Sequence, residues 1–406
     1  MRIPTNLIKD TSVTSQEKHD AWLFYLHLKT FHPLLAIRVF TSFQTCSQHF
    51  NQYESLKNIL FLSTFFGAAT ATKFLLEQRR FYIPRSVLNP ALRLNLNAMN
   101  EVDCQQYFRF GHGEIRQLTV SLQLPEVIIT PSHGDRVLVV EGICLVLRRL
   151  SYPCRWFDLQ NQFGRHTSAL SRIFYYVMHL ILEKVNHSIM FYDLSQEDLI
   201  SFADAFARKG VPDTVNLFSV IDVKKQAICK PDRHQRSMYS GHKKFHCLKY
   251  QTLEAPNGLI LHCSIGDDGR RGDGYVLRRS GILQYLRNHA IFNGFVVLGD
   301  SAYPTNDVMI SIYKGRQLPP ASVAFNAVMC PIRTSVEWGY EKIVRYWAFL
   351  DFKKQMKIQR CALVPMWRLG VFLTNCLTCA KGGNQISKYF GVAPPSLEEY
   401  ILKSLN

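Results

Sequence analysis

The sequence predicts a mixed α/β domain preceded by a helical region. Three observations carry that expectation. Up to about residue 200 the apolar residues recur at helical spacing, and from Leu217 they gather into short runs of strand length. Ala255-Pro256-Asn257-Gly258 lies between two such runs and has the turn chemistry of a hairpin. The runs Leu217-Phe218-Ser219-Val220-Ile221 and Phe295-Val296-Val297-Leu298-Gly299 each end on an aspartate, Asp222 and Asp300, which puts a carboxylate at each strand end.

The bulk numbers bound the class. With 406 residues the chain is long enough for two or three domains, and 47% hydrophobic content excludes wholesale disorder. A net charge of +17 favours a polyanionic partner, nucleic acid or an acidic membrane surface. Eleven scattered cysteines and a polar, charged stretch from Met1 to Asp20 without signal-peptide features point to a reducing compartment. Cys376 and Cys379 have no second pair and no histidine at ligand spacing, so they read as core thiols on one helix face, not as zinc ligands. The most apolar segment, Asn58 to Thr72, is shorter than the roughly 20 residues that span a bilayer. It reads as a buried helix, and no membrane partner is expected.

Residues 1–95 read as a helical N-terminal region, with aromatic-rich patterns around Trp22–Phe40 and Leu56–Gln78 punctuated by Arg79-Arg80 and Pro84, and carry no motif. Residues 96–200 form a second helical region. Its first stretch runs from about Glu101 to Pro125. Arg136–Tyr152 follows, with Val139, Val140, Ile143, Leu147 and Leu150 on one face and Pro153 as its stop. Trp156–Phe163 is a short helix closed by Gly164. Thr167 or Ser168 caps a longer one with Leu170, Ile173, Phe174 and Val177 as its apolar stripe. Over 136–185 this is a helix-turn-helix-like unit, with Arg165 and His166 placed to meet DNA. A plain three-helix bundle is the competing reading.

Residues 212–380 make the sheet domain. Leu217–Val223, Cys247–Leu253 and Leu259–Ile265 read as strands, Gly274–His289 as a helix and Phe295–Gly299 as a further strand. A long helix spans about Ser322 to Tyr346, kinked or split by Pro331. Three antiparallel strands, a helix, a strand and then helices is the order of an RNase H-like mixed sheet. Residues 381–406 are a C-terminal tail.

Glu337 lies four residues after Arg333 on one helix face, with Glu341 a rival one turn further on. Two carboxylates at strand ends and one on a later helix suit divalent metal ions that clamp the attacking and leaving oxygens of a phosphodiester. The bland alternative is two turn aspartates and a solvated ion pair. Beside Asp222 runs a basic segment: Lys224, Lys225, Lys230, Arg233, Arg236, Lys243, Lys244 and Lys249, with His234, His242 and His246 and only Asp232 opposing. Such a segment suits a phosphate backbone, or else is a solvated charged loop. Gly299-Asp300-Ser301 looks like the nucleophile block of a serine hydrolase family, but no aspartate in the chain has a histidine three positions on to orient a base, which excludes that chemistry.

The blocks Ser219-Val220-Ile221-Asp222, Ile228-Cys229-Lys230-Pro231, Arg233-His234-Gln235-Arg236, Tyr239-Ser240-Gly241-His242-Lys243-Lys244, Ala255-Pro256-Asn257-Gly258, Gly299-Asp300-Ser301-Ala302-Tyr303-Pro304 and Ser335-Val336-Glu337-Trp338-Gly339 occur in that order. Tyr389-Phe390-Gly391-Val392-Ala393-Pro394-Pro395 follows near the end. Together, from about residue 100 onward, the chain resembles the PIF/Harbinger-type DDE transposases and the nucleases derived from them. The resemblance implies an RNase H-like core in which Asp222, Asp300 and Glu337, rather than Glu341, hold Mg²⁺ (or Mn²⁺), two ions in all, for hydrolysis and strand transfer on DNA. It also implies a nuclear location, with the cytoplasm left open, a separate Myb-like DNA-binding partner, and room for an oligomer. Val223-Lys224 stands where similar sequences carry Gly-Thr, and Gly272-Asp273 where they often carry His-Asp. The rival reading is therefore a domesticated, catalytically inactive DNA-binding or scaffold protein that keeps the transposase fold.

Overall fold

The structure, a computed structural model, describes residues 94–358 and 360–405. The helical patterns at Trp22–Phe40 and Leu56–Gln78 and the apolar segment Asn58 to Thr72 lie outside the described residues.

Two short helices open the described chain, α1 (Glu101–Phe108) and α2 (His112–Ser121). The Asn100 side chain caps α1 by accepting from the Asp103 amide. Between α1 and α2, Arg109 adopts φ 69°, the left-handed turn that ends α1. A small antiparallel ribbon follows, β1 (Val127–Ile129) with β2 (Arg136–Leu138). The helix expected from Arg136 therefore begins only after β2, as α3 (Val139–Ser151). The helices α4 (Trp156–Phe163) and α5 (Thr167–Met190) match the expected short helix, glycine turn and long helix, with Gly164 at φ 59°. The cap of α5 is His166, whose ring nitrogen accepts from the Ser168 amide, rather than Thr167 or Ser168. Next comes α6 (Gln196–Ala207), which ordinary capping chemistry at Ser195 explains and which periodicity alone does not single out.

The mixed sheet is built around β3 (Asn216–Ala227). A one-turn helix α7 (Gln235–Met238) leads into β4 (Tyr239–Ser240), then β5 (Phe245–Glu254), β6 (Ile260–Cys263) and β7 (Asp267–Asp268). The strand order is β4-β5-β3-β8-β9, with β6 and β7 also paired to β5, where β8 is Phe295–Gly299 and β9 is Met309–Ser311. Strands β3 and β5 are antiparallel, whereas β3–β8 and β8–β9 are parallel. β3 outruns its expected end at Val223 because Lys224, Lys225 and Gln226 continue the ladder with β5.

The single helix expected over Gly274–His289 is two, α8 (Asp273–Ser280) and α9 (Ile282–Asn288). Gly281 at φ 73° breaks them, a left-handed conformation that glycine adopts without Cβ strain. After β9, α10 (Pro320–Tyr346) runs unbroken through Pro331. A proline there forfeits one backbone bond, and packing of α10 on β3 and β8 sustains the helix. Three further helices close the chain: α11 (Leu363–Ala380), α12 (Gln385–Phe390) and α13 (Leu397–Ser404).

By length and composition α11 is apolar enough to cross a membrane, but it is the core helix of this unit, 83% buried against α5, β6 and α13. Cys376 and Cys379 lie buried on it as expected. Its Asn375 side chain donates to the Ile260 carbonyl and accepts from the Ile260 amide, so it supplies β6 with the hydrogen bonds of an absent neighbouring strand. Trp347, which donates to the Thr374 hydroxyl of α11, and Trp367 of α11 itself are fully buried, Trp367 stacked on Tyr250 at 4.8 Å. The helices α3 and α5 share this one continuous apolar core with the sheet.

Candidate active site

The β3–β8 pair positions the first two acids. Asn216 pairs with Phe295 and Leu217 with Val296, but the register then slips, so that Ser219 faces Val297 and Val220 faces Leu298. The extra residue is Phe218, anchored by its ring against Phe292 at 5.5 Å and Phe295 at 6.4 Å. This bulge decides the site. Side chains alternate along a strand, so without the slip Asp222 and Asp300 would emerge on opposite faces. With it, the register carried on past Val220 and Leu298 brings Asp222 level with Asp300, and the charge of Asp300 reaches Asp222 and raises its carboxyl.

The same face carries Thr252 and Glu254 of β5, opposite Asp222 and Val220, and α10 covers it. Tyr340 of α10 donates to the Asp222 backbone carbonyl and accepts from the Thr252 hydroxyl, each at 2.7 Å. Gly339 lets the helix sit down on the buried Glu254, because a Cβ at that position would run into its carboxylate. The Glu254 carboxylate and the Lys342 ammonium have no hydrogen-bond partner among the described residues. Burial holds Glu254 well above the usual carboxylate range and pushes Lys342 down to about 8.

Asp222 is mostly buried, and its carboxyl is pushed up to about 6. Burial is the largest cause. The Val223 amide and Arg333 oppose it, while the negative charges of Asp300 and Asp273 add to it. Asp300 is half-buried and folds its own turn, accepting from the Ala302 amide at 2.8 Å. That turn brings Tyr303 back beneath the strand end, where its hydroxyl has no partner among the described residues and burial plus Asp222, Asp273 and Asp300 raise the phenol well above its ordinary range.

Glu337 does not join them. Its side chain is 57% exposed and pairs with Arg333 at 3.4 Å. Arg333 thus stands between the helix acid and the strand acids, interacting with both Glu337 and Asp222. Among the described residues no three histidine, cysteine, aspartate or glutamate side chains converge to hold a metal ion. Asp222 and Asp300 carry the oxygen donors that a hard cation takes, and a divalent ion would relieve the burial and charge repulsion that raise Asp222.

The basic residues divide. Lys230, Arg233, Arg236, Lys243 and Lys244 are exposed, Lys224 and Lys225 half-buried on β3. Lys249 is turned inward and pairs with Asp273 at 2.9 Å. Arg165 makes a two-pronged ion pair with Glu141, at 2.5 and 3.0 Å, with both side chains nearly buried, and His166 caps α5. The α5 stripe is sunk in the core and its Arg172 pairs with Asp135. These contacts give the cations at the start of α5 structural duties.

The sequence brings up Asp273 and Tyr303 only within their blocks, assigning neither a role, and does not single out Tyr340 or Arg270. Tyr303 and Tyr340 had a signal: each lies three residues after an acid, which is one turn on the same surface. Asp273 and Arg270 depend on long-range packing. Gly269, whose Cβ would strike the Met238 and Cys247 carbonyls, draws Arg270 against α7 and β5.

No curated protein and no solved structure matches the chain. A family model does, and its span opens one residue before Asp222, contains Asp273, Asp300 and Glu337, and ends within α11: residues 221–375 are similar to the DDE superfamily endonuclease family.

Proposed function

We propose that this protein is a metal-dependent DNA endonuclease of Harbinger type with an RNase H-like core, cutting phosphodiesters at Asp222 and Asp300. The observation that supports the reading is the β3 bulge, whose register, carried on to the strand ends, would bring these two carboxylates level on the α10-covered face. Asp222 and Asp300 would hold Mg²⁺ or Mn²⁺, with Glu337 as the third ligand once it leaves Arg333. A divalent ion held there supplies charge neutralisation at the phosphodiester oxygens and an activated water. The chain's own part is positional. Tyr340 fixes the backbone at Asp222, the Ala302 amide fixes the Asp300 carboxylate, and Lys224, Lys225, Lys230, Arg233, Arg236, Lys243 and Lys244 supply cations for DNA phosphates.

A second reading is a catalytically inactive DNA-binding or scaffold protein, and the Arg333–Glu337 ion pair favours it by occupying the third acid. Nicking of supercoiled DNA separates the two. The endonuclease reading expects cleavage with Mg²⁺ or Mn²⁺ that EDTA, Asp222→Ala and Asp300→Ala each abolish, with DNA binding kept. DNA binding by the wild type with no metal-dependent nicking refutes it and leaves the second reading. A Myb-like partner, an oligomer and a nuclear location belong to the same proposal, and supporting them takes co-purification, sizing and imaging.

A further inference from the structure

Away from the carboxylates, the surface has an open groove of about 590 Å³ lined by Gln235, Arg236, Tyr239, Gly241, His246 and Arg270. Its walls are short but fixed. Tyr239 and Ser240 pair with His246 and Phe245, and the Arg270 amide donates to the Ser237 carbonyl at 2.9 Å. Arg236 and Arg270 are exposed and neither has an ion-pair partner among the described residues. Tyr239 is exposed for a large aromatic, at 39%, and its ring meets the His246 ring at 5.2 Å and 66°. The Tyr239 ring is therefore a part-exposed aromatic on the wall of the groove.

We infer that this groove binds an unpaired nucleotide of the DNA, its base stacked on Tyr239 and its phosphates between Arg236 and Arg270. The inference rests on the DNA reading above and extends it to a second site. Two guanidiniums without carboxylate partners are phosphate chemistry. A part-exposed aromatic ring in a groove is base-stacking chemistry, which a base inside a duplex cannot reach and a single-stranded one can. The volume falls in the range of roughly 300–1,000 Å³ typical of small-ligand sites. The position is also consistent. Thr252 lies opposite Asp222, and back along β5 to His246 is about 20 Å at the usual strand rise. At about 3.4 Å per nucleotide of a stacked strand, the groove meets DNA about six nucleotides from the acids.

The test uses the full chain and fluorescence anisotropy with three DNAs: a blunt duplex, the same duplex with a single-stranded tail of about ten nucleotides, and that tail made of abasic sugar-phosphates. The wild type is expected to bind the tailed duplex about 10-fold or more tightly than the abasic-tailed one. Tyr239→Ala should erase that difference while leaving blunt-duplex affinity within about two-fold, Tyr239→Phe should restore it, and Arg236→Ala with Arg270→Ala should weaken both tailed DNAs. Equal affinity of the wild type for the base-bearing and abasic tails, with blunt duplex still bound, overturns the groove and spares the DNA reading. No binding to any of the three DNAs overturns both.

Discussion

Replacing Asp222 with asparagine should stabilise the metal-free protein, and only above acid pH. The folded state holds the Asp222 proton up to about pH 6, against an ordinary carboxylate value of 3.8. Below about pH 4 the carboxyl is protonated both folded and unfolded, and the native state bears no penalty. As pH rises through 6 the folded carboxylate must ionise next to Asp300 and out of water, so stability falls across that window. At 1.36 kcal/mol per pKa unit the penalty at pH 8 is about 3 kcal/mol, an upper figure because partial solvation screens it. The Asp222→Asn side chain keeps an oxygen for the Val223 amide and never ionises. In EDTA, the variant's melting temperature should therefore match wild type at pH 4 and exceed it by about 5 °C at pH 8. Adding Mn²⁺ at pH 8 should raise the wild type towards the variant and leave the variant unmoved. A variant no more stable than wild type at pH 8, or a difference independent of pH, would refute the idea that Asp222 is a desolvated carboxylate awaiting a counter-charge.

Other consequences are structural. Gly339→Ala drives a methyl into the Glu254 carboxylate and should cost about 1–3 kcal/mol in denaturant unfolding; an unchanged midpoint would mean α10 does not sit on the sheet as described. Asn375→Ala leaves the Ile260 amide and carbonyl unpaired and should cost about 2–4 kcal/mol, with faster amide exchange confined to β6. Asp300→Asn removes one of the charges that raise Asp222, so the pH at which wild-type stability falls should move down in this variant; no movement would place the two acids further apart than the register implies.

Local chemistry was readable in the sequence; pairing was not. Trp156–Phe163 and Phe295–Gly299 come out with their expected ends because Gly164 and Asp300 punctuate them. Gly281 was an equally visible breaker inside a stretch read as one helix, and its left-handed φ is what splits α8 from α9. The ion pair Arg333–Glu337 follows from i,i+4 spacing. Nothing in the spacing of Arg165 reveals Glu141, because the two meet only when α3 packs on α5. The acids show the same limit: Asp300 follows the last residue of β8 as its patterning predicts, whereas Asp222 lies inside β3 because the ladder with β5 runs on to Ala227, and their shared register depends on one bulged residue, Phe218, in a parallel pairing between segments far apart in the chain.

On the proposed reading Asp222 and Asp300 form one cation site. Anomalous diffraction from crystals soaked in Mn²⁺ tests it most directly. The account predicts a peak bridging the two carboxylates in the wild type and its loss in Asp300→Ala. Crystals with Mn²⁺ ordered elsewhere, or none between Asp222 and Asp300 while both side chains are well defined, would contradict it.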